Sequence, residues 1–248
     1  MKAISLTNGS DIFSIAQDQV SNLEGWEYAS VRDVVEDIAG IQSAVYLTSK
    51  QGRRRFSMTV YIPDQCLDDK RDMLKVLRQS GNMKLLKFTT IDDLLLQAYV
   101  EILAVKYPYN TLRKPFLIEM VAPDWRFYSQ TENTESVAVS ASETVTNDGT
   151  DVSQPVFRVH GPLATATIQN LTTAEQIDLT YALGDGSYID IDCLNRTVKL
   201  NGVTSVFSAF DGDFPRLLPG DNSISLLATG SGGNTSLDVI YRDAYNGV

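Results

Sequence analysis

Few residues of this 248-residue chain could do chemistry, and their spacing limits what that chemistry could be. The one histidine, His160, sits in the strand-like run Val156-Phe157-Arg158-Val159-His160-Gly161, which makes it a strand-end residue rather than a base. Cys66 and Cys193 are the only cysteines, so zinc binding and Cys–His catalysis are excluded and buried reduced thiols are expected. Carboxylate pairs remain. Asp190 and Asp192 would share one face of a strand, and Asp211 and Asp213 flank Gly212 in a loop. Either pair could hold Ca²⁺ or, with a third carboxylate, hydrolyse a glycoside, but solvated turn carboxylates explain both. No nucleophile elbow, P-loop or H-E-x-x-H pattern occurs. The expectation is no catalytic residue, no cofactor and no metal.

Binding chemistry is more legible. Arg53-Arg54-Arg55 is the one basic run, read either as a solvated strand start or as an inter-subunit contact. The loop Lys106-Tyr107-Pro108-Tyr109-Asn110-Thr111-Leu112-Arg113-Lys114-Pro115 adds Tyr107, Tyr109 and Arg113 as contact candidates. Both tryptophans, Trp26 and Trp125, lie in the first half, so the second half lacks the usual platform for a sugar ring. The net charge of −10 is uneven: residues 1–129 hold 16 Lys/Arg and 16 Asp/Glu, residues 130–248 hold 5 and 15. The acidic half should repel nucleic acid and anionic membrane. The start of the chain is too polar for a secretory signal, and no apolar run reaches the ~18 residues of a membrane span.

The elements that must position these residues divide at about 130, into domains 1–130 and 131–248. In the first, short strands surround Asn8-Gly9. Val31, Val34, Val35 and Ile38, at i, i+3, i+4 and i+7, predict a short helix ending at Gly40. A hairpin of 44–49 and 54–62 is expected around Lys50-Gln51-Gly52, with Phe56, Met58, Val60 and Ile62 on one face. A helix capped by Asp64 or Asp68 follows, with Leu67, Met73, Leu74 and Leu77 inward. Strands 84–89, 94–103 (Leu94, Leu96, Ala98, Val100 and Ile102 inward) and 116–122 complete the domain. After a link at 129–135, regular turn signals and no helical period predict a β-sandwich, with Asn201-Gly202 its clearest hairpin. Pro215 and Pro219 bar a regular strand, so 213–224 is expected to be a tight corner turned at Gly220 and capped by Asp221 or Asn222.

That corner, Leu217, Pro219, Gly220 and Asn222, followed by Tyr241, Arg242 and Tyr245, resembles the C-terminal domain of siphophage distal tail (Dit) proteins. The resemblance extends through the chain. Its pieces are Arg54, Phe56 and Ile62; Asp69, Lys70, Arg71 and Leu74; and a close of Ala122, Asp124, Phe127 and Tyr128. Then come Asn147 and Gly149; Pro155, Val159 and Gly161; and Ile168, Asn170 and Thr172. Pro123-Asp124 departs from the Asp-Pro of many relatives. The resemblance implies a mainly β, two-domain protein: an N-terminal split-barrel-like domain with one or two helices, and a C-terminal galectin-like antiparallel sandwich. It implies a structural, non-enzymatic baseplate hub in the virion, made in the host cytoplasm. A hexameric ring of this chain would join the major tail tube protein to the tail tip or fibre protein, and in some relatives the C-terminal domain docks receptor-binding proteins. The competing readings are a stand-alone carbohydrate-binding adhesin module and a sandwich glycosidase.

Overall fold

The structure is a computed structural model that describes residues 2–8, 11–27, 31–37, 44–61, 74–77, 83–106 and 115–247. The chain is mainly β and forms two compact units, Met1–Gln130 with Asn246–Val248, and Thr131–Tyr245.

The first unit runs β1 (Ala3–Asn8), β2 (Asp11–Ala16), β3 (Val20–Glu24), β4 (Val31–Asp37), β5 (Ala44–Gln51), β6 (Arg54–Val60), β7 (Lys84–Thr89), β8 (Leu95–Lys106), β9 (Phe116–Ala122) and β10 (Phe127–Ser129). The main sheet has the order β2-β1-β7-β8-β9-β6-β3, with β10 added to β8. Its two end strands, β2 and β3, are consecutive in the chain and joined only by the 3-10 turn Gln17–Gln19. Seven strands laid flat would put those ends ~29 Å apart, whereas four peptide steps reach at most ~14 Å. The sheet therefore curls into a split barrel. A cleft of about 300 Å³ lined by Ile4, Ile15, Val20 and Leu23 marks the seam.

Alternation fills the interior: Phe56, Met58 and Val60 of β6, Leu86 and Phe88 of β7, and Leu96, Ala98 and Val100 of β8 are all buried. Leu94 and Ile102 are only half-buried. Of the expected helix after β6, residues 74–77 are helical with Leu77 buried and Leu74 half-buried; Leu67, Met73, Ile62 and both candidate caps lie outside the described residues.

Two local expectations are corrected. Residues 31–37 are strand β4, not helix, and pair with β5 from Val31↔Gln51 to Asp37↔Ala44. The valines are β-branched and favour extended backbone, and a register shift between Val34 and Val35 breaks the period of two that would have marked a strand. The hairpin is therefore β4–β5, and β6 instead pairs with β3 and β9. The turn at Gly52 is a crossing between sheets.

The second unit comprises β11 (Asn133–Ala138), β12 (Ala141–Asn147), β13 (Val156–His160), β14 (Leu163–Asn170), β15 (Glu175–Leu183), β16 (Tyr188–Asp192), β17 (Thr197–Leu200), β18 (Thr204–Ser205), β19 (Phe210–Gly212), β20 (Gly220–Thr229), β21 (Ser236–Tyr241) and β22 (Ala244–Tyr245). All but β22 form the expected antiparallel sandwich, with sheets β11-β21-β13-β16-β17-β18 and β12-β20-β14-β15-β19. Inward residues of both sheets, among them Val145, Phe157, Ile168, Leu179, Ile191, Ile224 and Val239, make one core. Asn201 and Gly202 both have positive φ (49° and 71°), as the tight primed turn between β17 and β18 requires. The link is shorter than expected, because Asn133 already pairs with Tyr241.

Candidate functional site

His160, Asp190, Asp192 and Asp211 are engaged in the fold, and Asp213 is exposed. His160 ends β13, with Nε2 2.9 Å from Asp238 Oδ2. Asp190 receives Arg158 through two bonds of 2.7 and 3.1 Å, and Asp192 accepts from the backbone and side chain of Asn195. Asp211 accepts from the Gly212 amide. Cys193 is buried, and that burial pushes its thiol pKa well above the usual range, away from the reactive thiolate. Cys66 lies outside the described residues. Among the described residues no three His, Cys, Asp or Glu side chains come together as metal ligands.

The arginine run separates by alternation. Arg53 and Arg55 are exposed, while Arg54 is 1% exposed and points inward with Phe56. Its Nε donates to Trp125 O at 2.7 Å, Nη1 to Trp26 O at 3.0 Å and Nη2 to Asn246 O at 2.7 Å. Its guanidinium lies 4.4 Å above the Phe127 ring. Arg54 is thus an internal clamp, and its burial keeps it off the surface where an inter-subunit contact was expected. Tyr107, Tyr109 and Arg113 fall outside the described residues.

The motif residues of the first unit assemble around this clamp. Phe127 is fully buried against Trp26, Phe56 and Phe88, at centroid distances of 6.0, 6.3 and 4.9 Å. Asp124 accepts from the Arg126 amide at 3.1 Å and from the Tyr128 hydroxyl at 2.5 Å. Burial, followed by the Asp124 charge, pushes the Tyr128 hydroxyl far above its ordinary value of 10.0. A raised folded-state pKa gives stability that is complete below pH 10 and falls as pH rises further, by at most about 1.4 kcal/mol per unit. Tyr128→Phe should therefore flatten the loss of urea resistance between about pH 9 and about pH 11, read by tryptophan fluorescence. An unchanged slope would remove Tyr128 from the cause.

The second unit converts three separate turn motifs into one corner. Leu217 bonds Ser153 in both directions, at 2.8 and 2.9 Å, and Gly220 takes the φ of +86° that starts β20. Asn222, fully buried, is the cap. Its Oδ1 accepts from Leu218 N at 2.9 Å, and its Nδ2 donates to Leu218 O at 2.8 Å and Gly220 O at 2.9 Å. Asp221 instead accepts from Thr146 at the surface. Pro219 holds the turn between Leu218 and Gly220. Asn147 and Asn170, also fully buried, donate into the same corner, to Leu217 O at 3.3 Å and Arg216 O at 2.8 Å. Gly149 is required by space, since a Cβ there would sit 2.0 Å from Ala244 O. These side chains replace ladder partners that the irregular backbone cannot find.

One surface feature went unread in the sequence. Ile12 of β2, Thr7 of β1, Leu85 of β7 and Tyr99 of β8 stand in one cross-strand row. Ile12 and Tyr99 are each 63% exposed, and Leu95 and Leu103 are exposed along the same outward register of β8. The signal was present as apolar residues at the outward positions 95, 99 and 103, between the inward ones.

Residues 148–245 match the family model described as siphovirus-type tail component, C-terminal domain. No curated protein sequence matches the chain. Among solved structures the chain is similar to SPP1 Dit (gp 19.1), described as a paradigm of hub adsorption apparatus in phages infecting Gram-positive hosts. The TM-score is 0.71 at 15% identity, covering 96% of this chain and 98% of that one. Two structures of the phage P2 baseplate in its activated conformation, with Ca and with Sr, align over 99% of both chains, at TM-scores of 0.49 and 0.44 and identities of 10% and 11%.

Proposed function

We propose that this chain, a phage tail protein with the distal tail (Dit) fold and a siphovirus-type tail component as its C-terminal domain, works as a baseplate hub. Copies of the first unit close a hexameric ring in the virion. The ring joins the major tail tube protein to the tail tip or fibre protein, and the acidic second unit offers a surface to a receptor-binding protein. The observation that carries self-association is the outward apolar row of Ile12, Leu85 and Tyr99 on a half with zero net charge. Exposed apolar surface of this kind, free of net repulsion, favours burial against another copy. The β4–β5 hairpin, which pairs with no other strand among the described residues, leaves backbone edges for the same purpose. A ring also explains why the buried groups are spent on rigid corners rather than on a reactive pocket.

The test is to place a charge in the row. Tyr99→Glu should convert a multimer into monomers in sedimentation velocity, at a cost of at least about tenfold in association. Because Tyr99 is exposed, the folded monomer should keep its stability. Retention of the multimer by Tyr99→Glu and Ile12→Glu alike would place the contact elsewhere.

A further inference from the structure

On one side of the sandwich the two sheets end at β11 and β12, which are consecutive in the chain. β12 pairs only with β20. The 2.8 Å bond from Leu171 N–H to Ser223 O fixes the phase of the ladders: odd-numbered residues of β20 face β14, and even-numbered ones face β12. Ala141, Glu143 and Val145, opposite Leu226, Ile224 and Asn222, therefore bond β20, while Ser142 and Thr144 turn their N–H and C=O groups away from the sheet. Thr146 faces the same way, but its carbonyl already accepts from the Tyr241 hydroxyl at 2.8 Å. Residues 142–144 are exposed and form the open stretch of this edge among the described residues.

The charges beside this stretch are of one sign. Glu143 falls in the inward register of β12, with buried Val145 and opposite buried Ile224, yet it is exposed. Glu135 holds the equivalent place on β11, in register with buried Val137 and opposite buried Val239. An edge strand that turns a charge toward the core resists pairing with a strand like itself. Residues 131–147 hold Glu132, Glu135 and Glu143 and no Lys or Arg, so the same strands of a second copy would bring glutamate to glutamate. Arg242, which follows the β11 partner Tyr241, is held by Glu132 at 3.0 Å, and no ion pair reaches Glu135 or Glu143 among the described residues. The complementary occupant is a basic strand.

We propose that residues 142–144 receive an extended segment of a different protein, which adds an antiparallel strand to β12 and places an arginine or lysine opposite Glu143. Ser142 and Thr144 supply the main-chain hydrogen bonds. The pair at Glu143 falls between them, where an antiparallel ladder brings side chains closest. Valines two residues to either side of the base continue the inward register of Ala141 and Val145. This rests on the second unit serving as a surface for a partner protein, not on ring closure by the first unit, which molar mass reads separately.

The probe is a labelled, end-capped peptide, Val-Thr-Arg-Thr-Val, added to the full chain, with Val-Thr-Glu-Thr-Val as control. The arginine peptide should bind at least about tenfold more tightly, with new hydrogen-exchange protection at the amides of Ser142 and Thr144. Thr144→Pro removes an outward donor and no bond of the sheet, so it should abolish that binding with a thermal midpoint shifted by no more than about 3 °C. Glu135→Gln combined with Glu143→Gln should bring the two peptides within about twofold of each other. Equal binding of the peptides to the unaltered chain, no binding, protection elsewhere or full binding by Thr144→Pro would overturn the proposal. So would a fall in the molar mass of the chain on Thr144→Pro, which would assign the edge to a second copy.

Discussion

Arg54→Met is expected to lower the stability of the first unit by about 3–5 kcal/mol, one of the two largest effects the structure implies for a single side chain. Methionine can occupy much of the volume, so the loss is mainly polar. The main-chain carbonyls of Trp26, Trp125 and Asn246, held at 2.7–3.0 Å by the guanidinium, lose that donor. The cation over the Phe127 ring is lost with it. Urea unfolding followed by tryptophan emission reads this unit alone, because Trp26 and Trp125 are the only tryptophans and both belong to it. Arg53→Met and Arg55→Met, at exposed neighbours, should move the midpoint by less than about 0.5 kcal/mol. Equal effects of all three would contradict the clamp.

The second large effect belongs to Asn222. Asn222→Ala removes the acceptor for Leu218 N and the donor for the carbonyls of Leu218 and Gly220, in a position with no access to water. The expected cost is about 2–4 kcal/mol. Asn222→Asp should be at least as damaging, since it keeps the acceptor and turns an oxygen toward two carbonyls. Far-UV circular dichroism should show the loss, while the tryptophan-detected transition stays in place. Asp221→Ala, at the surface position, should cost less than about 0.5 kcal/mol. A mild Asn222→Ala would mean that the corner is held by its prolines and by Leu217.

What the sequence disclosed follows the range of the physics involved. β6 was legible because burial on one side imposes a period of two on Phe56, Met58 and Val60. The Asn201-Gly202 turn was legible because positive φ at two successive residues selects for those types. β4 was misread because the shift at Val34/Val35 removes that period and leaves valines at a helical spacing. The partner of β5 was misread because turn chemistry at Gly52 marks a change of direction without saying which strand lies alongside.

The site shows the same division. Asn147, Asn170 and Asn222 were each readable as turn residues, yet their convergence depends on contacts across 46 to 77 positions, which no local pattern carries. Arg54 was grouped with its charged neighbours because a run of three like residues hides the alternation that sends the middle one inward. The Ile12–Tyr99 row needed the pairings through β1 and β7 before it existed as a surface. The resemblance to distal tail proteins, carried by ordered turn motifs, agrees with both the fold and the family model.

The most direct test of the hub is molar mass by light scattering over a dilution series, with negative-stain imaging of the largest species. The proposed function predicts a species of six protomer masses that images as closed rings with a central hole. Protomer mass at every concentration, with no rings in the images, would contradict it.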